Sequence, residues 1–220
     1  MLKLRILLVD EHTLFCQGLV WMLKTVVEIG SVASATSLET ALDIASGFRP
    51  DVILLYPTIG SANPQWVTQQ LRKVSPGARI IWLDDRVRRI HVRAALDAGV
   101  HGYWTRETVF SELVLAIRET AMGRVSFCPQ VRKYLLNTPE GLRPNPMYPL
   151  SVTDQLTPRE FEIFMLLAAG MTVRECAERL GLAVSTVDNH KVNLMHKLKV
   201  HKTVHLTWLA VEDRLTNEIG

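Results

Sequence analysis

The chain of 220 residues carries a formal net charge of +3, and 48% of its residues are hydrophobic. This length suits two modest domains that each bury a core. So small a net charge does not by itself indicate a nucleic-acid-binding protein. Three scattered cysteines lack the spacing of a metal site or a disulfide framework. Since the chain has neither a signal-peptide pattern nor an apolar run of transmembrane length, we expect a cytoplasmic protein without a membrane partner.

The first 125 residues alternate between strand and helix patterns. Short, continuously apolar runs such as 52–55 and 80–83 are typical of central parallel strands that are covered on both faces. Repeated βα units predict a doubly wound parallel sheet with a ligand crevice at the carboxyl ends of its strands. We predict strands over 3–9, 32–36, 52–55, 80–83 and 101–104, and helices over 14–26, 38–46, 65–74, 87–98 and 111–122.

The opening LLVDEHTLFCQGL, the run PDVILL and the segment AGVHGYWTRE resemble the receiver domain of response regulators over about residues 1–123. The resemblance implies a flavodoxin-like domain with a five-stranded parallel sheet and a phosphorylation site in its crevice. In such a site an acidic pair binds Mg²⁺, an Asp after the third strand accepts the phosphoryl group, a Ser or Thr follows the fourth strand and a Lys follows the fifth. Phosphoryl transfer to a carboxylate needs these charges because a divalent ion and a cation must hold the equatorial oxygens.

Of that implied pocket, this chain keeps only the acidic pair. Asp10 and Glu11 stand at the metal-ligand positions, whereas the acceptor position holds Tyr56, the Ser/Thr position holds Asp84 and the Lys position holds Arg106. A phenol cannot form an acyl phosphate, and Asp84 would repel a phosphoryl group. The pattern therefore predicts a degenerate receiver pocket without a phosphoacceptor.

Two arrangements of this pocket are open. In the one that we favour, Tyr56 fills the crevice, and its hydroxyl or Arg106 bonds to Asp10, Glu11 or Asp84, because Arg106 supplies a cation among those carboxylates. In the other, Asp10, Glu11 and Asp84 form a surviving metal site.

The fourth helix offers a separate basic surface, formed by Arg86, Arg88, Arg89, His91 and Arg93. It could hold an anionic ligand, an acidic protein partner or a second copy of the chain, or it could be a solvated, salt-bridged face. We expect the receiver-like domain to dimerise without phosphate, either through its first and fifth helices, with Trp21 and Leu113 as candidates, or through Arg88 or Arg93 on this surface.

Residues 126–155 read as a linker. A short helix is predicted from Pro129 through Leu136, after which NTPEGLRPNPMYP, rich in Pro, Gly and Asn, is predicted to continue neither helix nor strand. The domains are thus a receiver-like domain over 1–125, the linker over 126–155 and a helical domain over 156–220.

The last segment reads as four helices. Thr157 and Glu160 form a capping box for the first, Thr172 caps the second, and Ser185 or Thr186 opens the third. Glycines end the first two helices, and a fourth is predicted over 203–215. Two short helices, a turn and a polar third helix describe a helix-turn-helix.

The run LTPREFEIFMLLAAGMTVRECAERLGLAVSTVDNHKVNLMHKLKV resembles the DNA-binding domain of NarL/FixJ-type (LuxR-like) transcription regulators. The resemblance implies that the third helix lies in the major groove. It places Asp188, Asn189 and Val192 against bases. It places Thr186, Lys191 and Lys197 near phosphates.

The sequence thus predicts a DNA-binding transcription regulator of the response-regulator type, acting as a homodimer on double-stranded DNA without a cofactor and without phosphorylation. An alternative is a protein-interaction module or anti-activator that has lost strong DNA binding, because Asp188 stands where this family usually has Lys or Arg. A metal-dependent hydrolase using Asp10, Glu11 and Asp84 is the remaining alternative. No nucleophile–base pair is evident in the sequence, so we expect no enzymatic activity.

Overall fold

A parallel sheet of six short strands forms the centre of the N-terminal unit, in the order β2-β1-β3-β4-β5-β6. The computed structural model describes residues 3–138, 141–148 and 150–212. Its parallel strands are β1 (Leu4–Val9), β2 (Ile29–Ala35), β3 (Val52–Leu55), β4 (Arg79–Asp84), β5 (Gly102–Thr105) and β6 (Ser126–Phe127). The strand order reverses between β1 and β3, which are adjacent and parallel. Their carboxyl ends therefore lie at the same edge of the sheet, at the topological switch point. The predicted doubly wound α/β class is confirmed.

The sixth strand is absent from the sequence prediction of five. It pairs with β5 through Gly102 opposite Ser126, and a Cβ on Gly102 would lie only 2.5 Å from the Ser126 carbonyl oxygen. The Trp104 indole also donates to that oxygen, at 2.9 Å. A strand of two residues has no periodicity of its own, so only the close approach permitted by Gly102 determines that it forms.

Helices cover both faces of this sheet. They are α1 (Thr13–Lys24), α2 (Leu38–Phe48), α3 (Pro64–Val74), α4 (Arg89–Asp97), α5 (Phe110–Ala121) and the short α6 (Pro129–Arg132). The side chain of Ser37 caps α2 and that of Asn63 caps α3, where Pro64 takes the first helical position. The central strands are consequently buried on both sides, as their apolar runs predict.

The segment predicted as an irregular linker contains a β-hairpin. Strands β7 (Leu135–Thr138) and β8 (Gly141–Pro144) pair antiparallel, and α6 ends at Arg132 rather than at Leu136. The prediction that this segment continues no strand is therefore wrong. Pro144 is tolerated because it is the last residue of its strand, where a missing N–H interrupts no ladder. The two compact units of the chain, Met1–Tyr148 and Pro149–Gly220, divide after this hairpin.

The C-terminal unit is helical. After a 3₁₀ turn over Val152–Gln155 come α7 (Pro158–Ala168), α8 (Val173–Leu180), α9 (Val184–Leu198) and α10 (Val204–Glu212). Its core is formed by Ile163, Phe164, Leu167, Ala168, Cys176, Ala177, Val187, Leu194, Leu198, Leu206 and Ala210. The predicted end of the fourth helix, 213–215, lies outside the described residues.

The helix starts of this unit follow local capping rules. Thr157 and Glu160 form the predicted capping box of α7, and Thr172 and Glu175 form a second one at α8. The predicted start of α9 is wrong, however, because the helix begins at Val184 and its N-cap residue, Ala183, has no side-chain cap. Across the described residues no helix is both long and apolar enough to span a membrane.

Candidate functional sites

The carboxyl ends of β1, β3 and β5 bring three predicted pocket residues together. Arg106, after β5, donates a hydrogen bond from Nη2 to Oδ2 of the buried Asp10, after β1. The other oxygen of Asp10 accepts the backbone N–H of His12 at 2.9 Å and lies 2.9 Å from that residue's Nδ1. A carboxylate that is fully buried must be paired, and the guanidinium of Arg106 supplies the pairing charge.

Tyr56, at the acceptor position after β3, contributes its ring face to this arrangement. The guanidinium carbon of Arg106 lies 4.2 Å from the centroid of the Tyr56 ring and 4.8 Å from that of Phe15. His12 packs edge-on against the same tyrosine ring, with centroids 5.5 Å apart. Within the described residues no hydrogen bond joins the Tyr56 hydroxyl to Asp10, Glu11 or Asp84. The crevice is thus filled by a cation between two aromatic rings, and it is Arg106 that bonds to Asp10.

Glu11 and Asp84 do not join Asp10. The Oε2 of Glu11 accepts the backbone N–H of Gly60 at 3.0 Å, and Asp84 belongs to a different cluster. In the part of the chain that the structure describes, no three His, Cys, Asp or Glu side chains are placed to hold a metal ion. The alternative metal site built from Asp10, Glu11 and Asp84 is therefore not assembled.

Asp84 lies at the centre of a buried polar cluster. Its Oδ2 accepts hydrogen bonds from Nδ1 of His91 (2.6 Å) and from the Tyr103 hydroxyl (2.7 Å), and its Oδ1 accepts the backbone N–H of Asp85 at 2.8 Å. Burial opposes ionisation of Asp84, but these hydrogen bonds and the charge of His91 outweigh it and lower the pKa of Asp84 to about 2. Burial, followed by the charge of Asp84, raises the pKa of Tyr103, so the phenol remains a donor. The cluster ties the ends of β4 and β5 to α4.

The sequence reasoning missed the roles of His91 and Tyr103. His91 was assigned to an exposed basic surface, but its side chain is only 2% exposed, so that assignment is wrong. Arg86 and Arg89 are exposed, whereas Arg88 pairs with Asp85 at 3.3 Å. The available signal was Asp84 itself, because a carboxylate that ends a buried strand must find hydrogen-bond donors nearby.

Cys16 lies behind this crevice as a hydrogen-bonded thiol. Its thiol donates to the backbone carbonyl of Asp10 at 3.1 Å. Burial, followed by the charge of Asp10, raises the pKa of Cys16 to about 11. At neutral pH it therefore remains a thiol, which is a weak nucleophile.

Helix α9 presents the predicted base-contacting residues to solvent. Asp188 and Asn189 are exposed, and Val192 is 62% exposed, one turn further along the helix. Thr186 and Lys191 flank this face and are partly buried. An α-helix with short polar side chains and one small apolar side chain on its outer face has the dimensions and donors that the major groove admits.

Lys197, which the family resemblance places near phosphates, forms an ion pair within this unit. Its Nζ donates to Oε2 of Glu160 at 2.6 Å, and the same Glu160 oxygen accepts the Thr157 N–H at 2.8 Å. Burial opposes ionisation of Glu160, but the hydrogen bonds from Lys197 and Thr157 lower its pKa. The ion pair thus joins the end of α9 to the start of α7. The neighbouring Arg159 pairs with Glu162 at 2.5 Å.

The candidate dimer residues differ in their exposure to solvent. Trp21 on α1 is 72% exposed, but Leu113 on α5 is only 5% exposed, so the prediction that Leu113 lies on an outer surface is wrong. It packs inward because it belongs to the buried face of α5, together with Ala116, Ile117 and Thr120. On α10, Val204 and Trp208 are exposed.

Comparisons with known proteins match both units. Residues 6–118 match the family model described as "Response regulator receiver domain", and residues 154–210 match "Bacterial regulatory proteins, luxR family". The transcriptional regulatory protein MctR of Rhizobium johnstonii is 29% identical over 220 residues, covering 99% of this chain and 98% of the relative. The response regulator protein VraR of Staphylococcus aureus is 28% identical, covering 97% of this chain and 99% of the relative.

Solved structures of similar architecture include the response regulator RcsB of Salmonella typhimurium. One form superposes with a TM-score of 0.75 at 18% identity, covering 94% of this chain and 100% of that chain. RcsB from Salmonella enterica serovar Typhimurium bound to the promoter rprA superposes with a TM-score of 0.64 at 18% identity, covering 97% and 100%. At these identities the likeness shows a shared fold.

Proposed function

Because the receiver model covers more than half of the chain, this protein belongs to the LuxR-type response regulators, which are DNA-binding transcription regulators, and we propose that it controls transcription without phosphorylation of its receiver domain. The proposal places it in the cytoplasm, where bacterial DNA lies, and gives it no enzymatic role.

The observation that carries this proposal is the Arg106–Asp10 ion pair beneath the Tyr56 ring. An acyl phosphate forms only on a carboxylate, and Tyr56 has none. A divalent ion at Asp10 would have to displace the guanidinium that already neutralises this carboxylate. The displacement is unfavourable because it breaks a buried ion pair. The crevice is therefore occupied by its own side chains.

The position that would report phosphorylation is also engaged. In a switch of this type a ligand can shift an equilibrium only by contacting one state better than the other. Asp84 is ionised, buried and saturated by His91, Tyr103 and the Asp85 N–H. It offers no donor to a phosphoryl oxygen. These contacts support a receiver held in one state.

Double-stranded DNA and a second copy of the chain are the proposed partners. The exposed face of α9, with Asp188, Asn189 and Val192, supports DNA binding. Structures of RcsB with a similar fold are described as dimers bound to DNA and as complexes with promoters. Two-fold dimers bind paired half-sites in register with their own symmetry, so we propose an operator of two half-sites.

The test exposes the full-length protein to acetyl phosphate and Mg²⁺, then measures intact mass and affinity for an operator selected from random duplexes. We expect no added phosphoryl mass and unchanged affinity. Tyr56→Asp alone should not create a switch, because Arg106 and Asp84 keep their partners. A phosphoryl group on a crevice residue that tightens DNA binding would overturn the proposal. Weak, sequence-independent DNA binding would instead favour a protein-interaction role.

A further inference from the structure

A recess of about 280 Å³ opens between α1 and α5 at the carboxyl edge of the sheet. Its walls are mostly apolar and include Leu14, Met22, Phe110 and Leu113, with Leu83 at the end of β4. An apolar cavity of about 150 Å³ is enough to hold benzene, so this recess has room for a substituted aromatic ring. Its size is close to the lower end of natural small-molecule pockets.

Polar groups without a hydrogen-bond partner among the described residues also line the recess. Thr105 is 5% exposed and lines the recess, yet its hydroxyl has no hydrogen-bond partner within the described residues. Thr108, which is partly buried, also lines the recess, and its hydroxyl forms no hydrogen bond among the described residues. Arg106 also lines the recess, and its Nε is buried without a hydrogen-bond partner among the described residues. A buried guanidinium nitrogen is normally satisfied, so the Arg106 Nε lacks an acceptor.

The described side chains that line the recess carry positive charge only. Arg106 is the only charged residue among those that line the recess, and no Asp or Glu takes part. Its Nη2 faces Asp10 on the crevice side. An acceptor with negative charge would therefore meet the threonine hydroxyls and Arg106, whose pairing with Asp10 offsets the one carboxylate that lies next to it.

Gly18 keeps the recess open from the α1 side. It lies in the middle of the helix, where glycine costs roughly 1 kcal/mol relative to alanine. Gly18 lines the recess, and a Cβ built on it meets no atom within 4 Å. A larger side chain at this position would occupy the volume without a clash.

We propose that this recess binds a small carboxylate with an aromatic or branched aliphatic body. The apolar walls would cover the body, and Thr105, Thr108 and Arg106 would hold the carboxylate. Small molecules, rather than a flat protein surface, are favoured because these polar groups line a concave site. The inference does not depend on the absence of phosphorylation, although Arg106 joins the recess to the crevice.

The experiment titrates 4-(trifluoromethyl)benzoate into the full-length protein and follows binding by ¹⁹F NMR. We expect saturable binding with a dissociation constant at or below about 1 mM. Gly18→Leu should weaken binding at least about tenfold, whereas Gly47→Leu, on an exposed and open position of α2, should change it less than about twofold. The uncharged ketone 4-(trifluoromethyl)acetophenone should bind at least about fivefold more weakly.

Thr105→Val provides a variant of nearly the same shape, whose fold is checked by thermal unfolding, and it should weaken binding about threefold or more. Equal binding to wild type and to Gly18→Leu, or equal binding of the acid and the ketone, would overturn the proposal. Loss of a dimer in Gly18→Leu during sedimentation, with benzoate binding unchanged, would assign this face to a second copy and overturn it as well. None of these measurements depends on phosphorylation or DNA.

Discussion

The receiver crevice and the helix-turn-helix unit differ in how far apart their decisive partners lie in the chain. In the C-terminal unit, the capping boxes join residues three positions apart, Thr157 with Glu160 and Thr172 with Glu175. In the crevice, Arg106 and Asp10 are 96 positions apart. The first kind of contact follows from helix geometry alone, whereas the second exists only once the sheet has formed.

This difference explains why one unit keeps the familiar pattern and the other replaces its chemistry. A capping residue works wherever a helix starts. A buried carboxylate such as Asp10 must have a partner, and Arg106 supplies it from the carboxyl end of β5, although β3 and β4 lie between the two strands. The crevice thus holds an internal cation between the rings of Phe15 and Tyr56.

Among the changes considered, removal of the Arg106 side chain should lower stability the most. Arg106→Ala leaves the buried Asp10 carboxylate unpaired, so we expect the N-terminal unit to lose about 3 kcal/mol of unfolding free energy. Urea unfolding of the full chain, followed by tryptophan fluorescence, measures this loss. The double variant Asp10→Asn with Arg106→Met should recover a substantial part of it. An Arg106→Ala protein as stable as wild type would show that the ion pair does not hold the crevice.

The next largest effect is expected on acidification, which protonates Asp84 in its buried cluster. The folded pKa of Asp84, about 2, lies below its ordinary value of 3.8, so its stabilising contribution is complete above about pH 4 and is lost as the pH falls through about 2. The corresponding difference is roughly 2 kcal/mol. Asp84→Asn should therefore be less stable than wild type at pH 6, and the gap should narrow between pH 4 and pH 2. A gap that stays constant over this range would contradict the assignment.

On the helix-turn-helix unit, Asn189→Ala should alter sequence reading without altering the fold. The exposed Asn189 amide can pair with an adenine edge in the major groove, so its loss should weaken operator binding by about 1 to 2 kcal/mol and relax preference at one base pair. Competition binding with single-base operator variants measures both effects. An unrelated duplex serves as the control, since its affinity should hardly change. Unchanged preference at every base pair would place Asn189 outside the reading face.

The smallest effects should separate two lysines of α9. Lys197→Ala removes the partner of Glu160 and should lower the stability of the C-terminal unit by about 1 kcal/mol, a modest amount because Lys197 is partly exposed. Lys191→Ala should leave stability unchanged and reduce the slope of log affinity against log salt by about one phosphate contact. Thermal unfolding and salt-titrated binding, performed on both variants, distinguish them. The same pattern for both lysines would contradict their assignment to different roles.

Much of the fold could be predicted from patterns within short windows. The apolar runs of β3 and β4 indicate buried parallel strands, and the sequence around Thr157 indicates a capped helix. The hairpin over 135–144 escaped prediction because its Pro and Gly residues are typical of irregular segments. Only the pairing of Leu135 with Pro144 and of Thr138 with Gly141 makes them strand ends. The start of α9 at Val184 escaped for a related reason, since Ala183 lacks a capping side chain.

The sequence by itself determined which chemical groups stand at the carboxyl ends of the strands, and hence that a phenol occupies the acceptor position of the receiver. It also determined the outward residues of the recognition helix, because helical periodicity assigns them to one face. Only the tertiary structure decided the partners: Arg106 for Asp10, His91 and Tyr103 for Asp84, and Lys197 for Glu160. The physical reason is that a buried charge is satisfied by whichever donors the fold brings within hydrogen-bond distance, and their separation along the chain does not limit that choice.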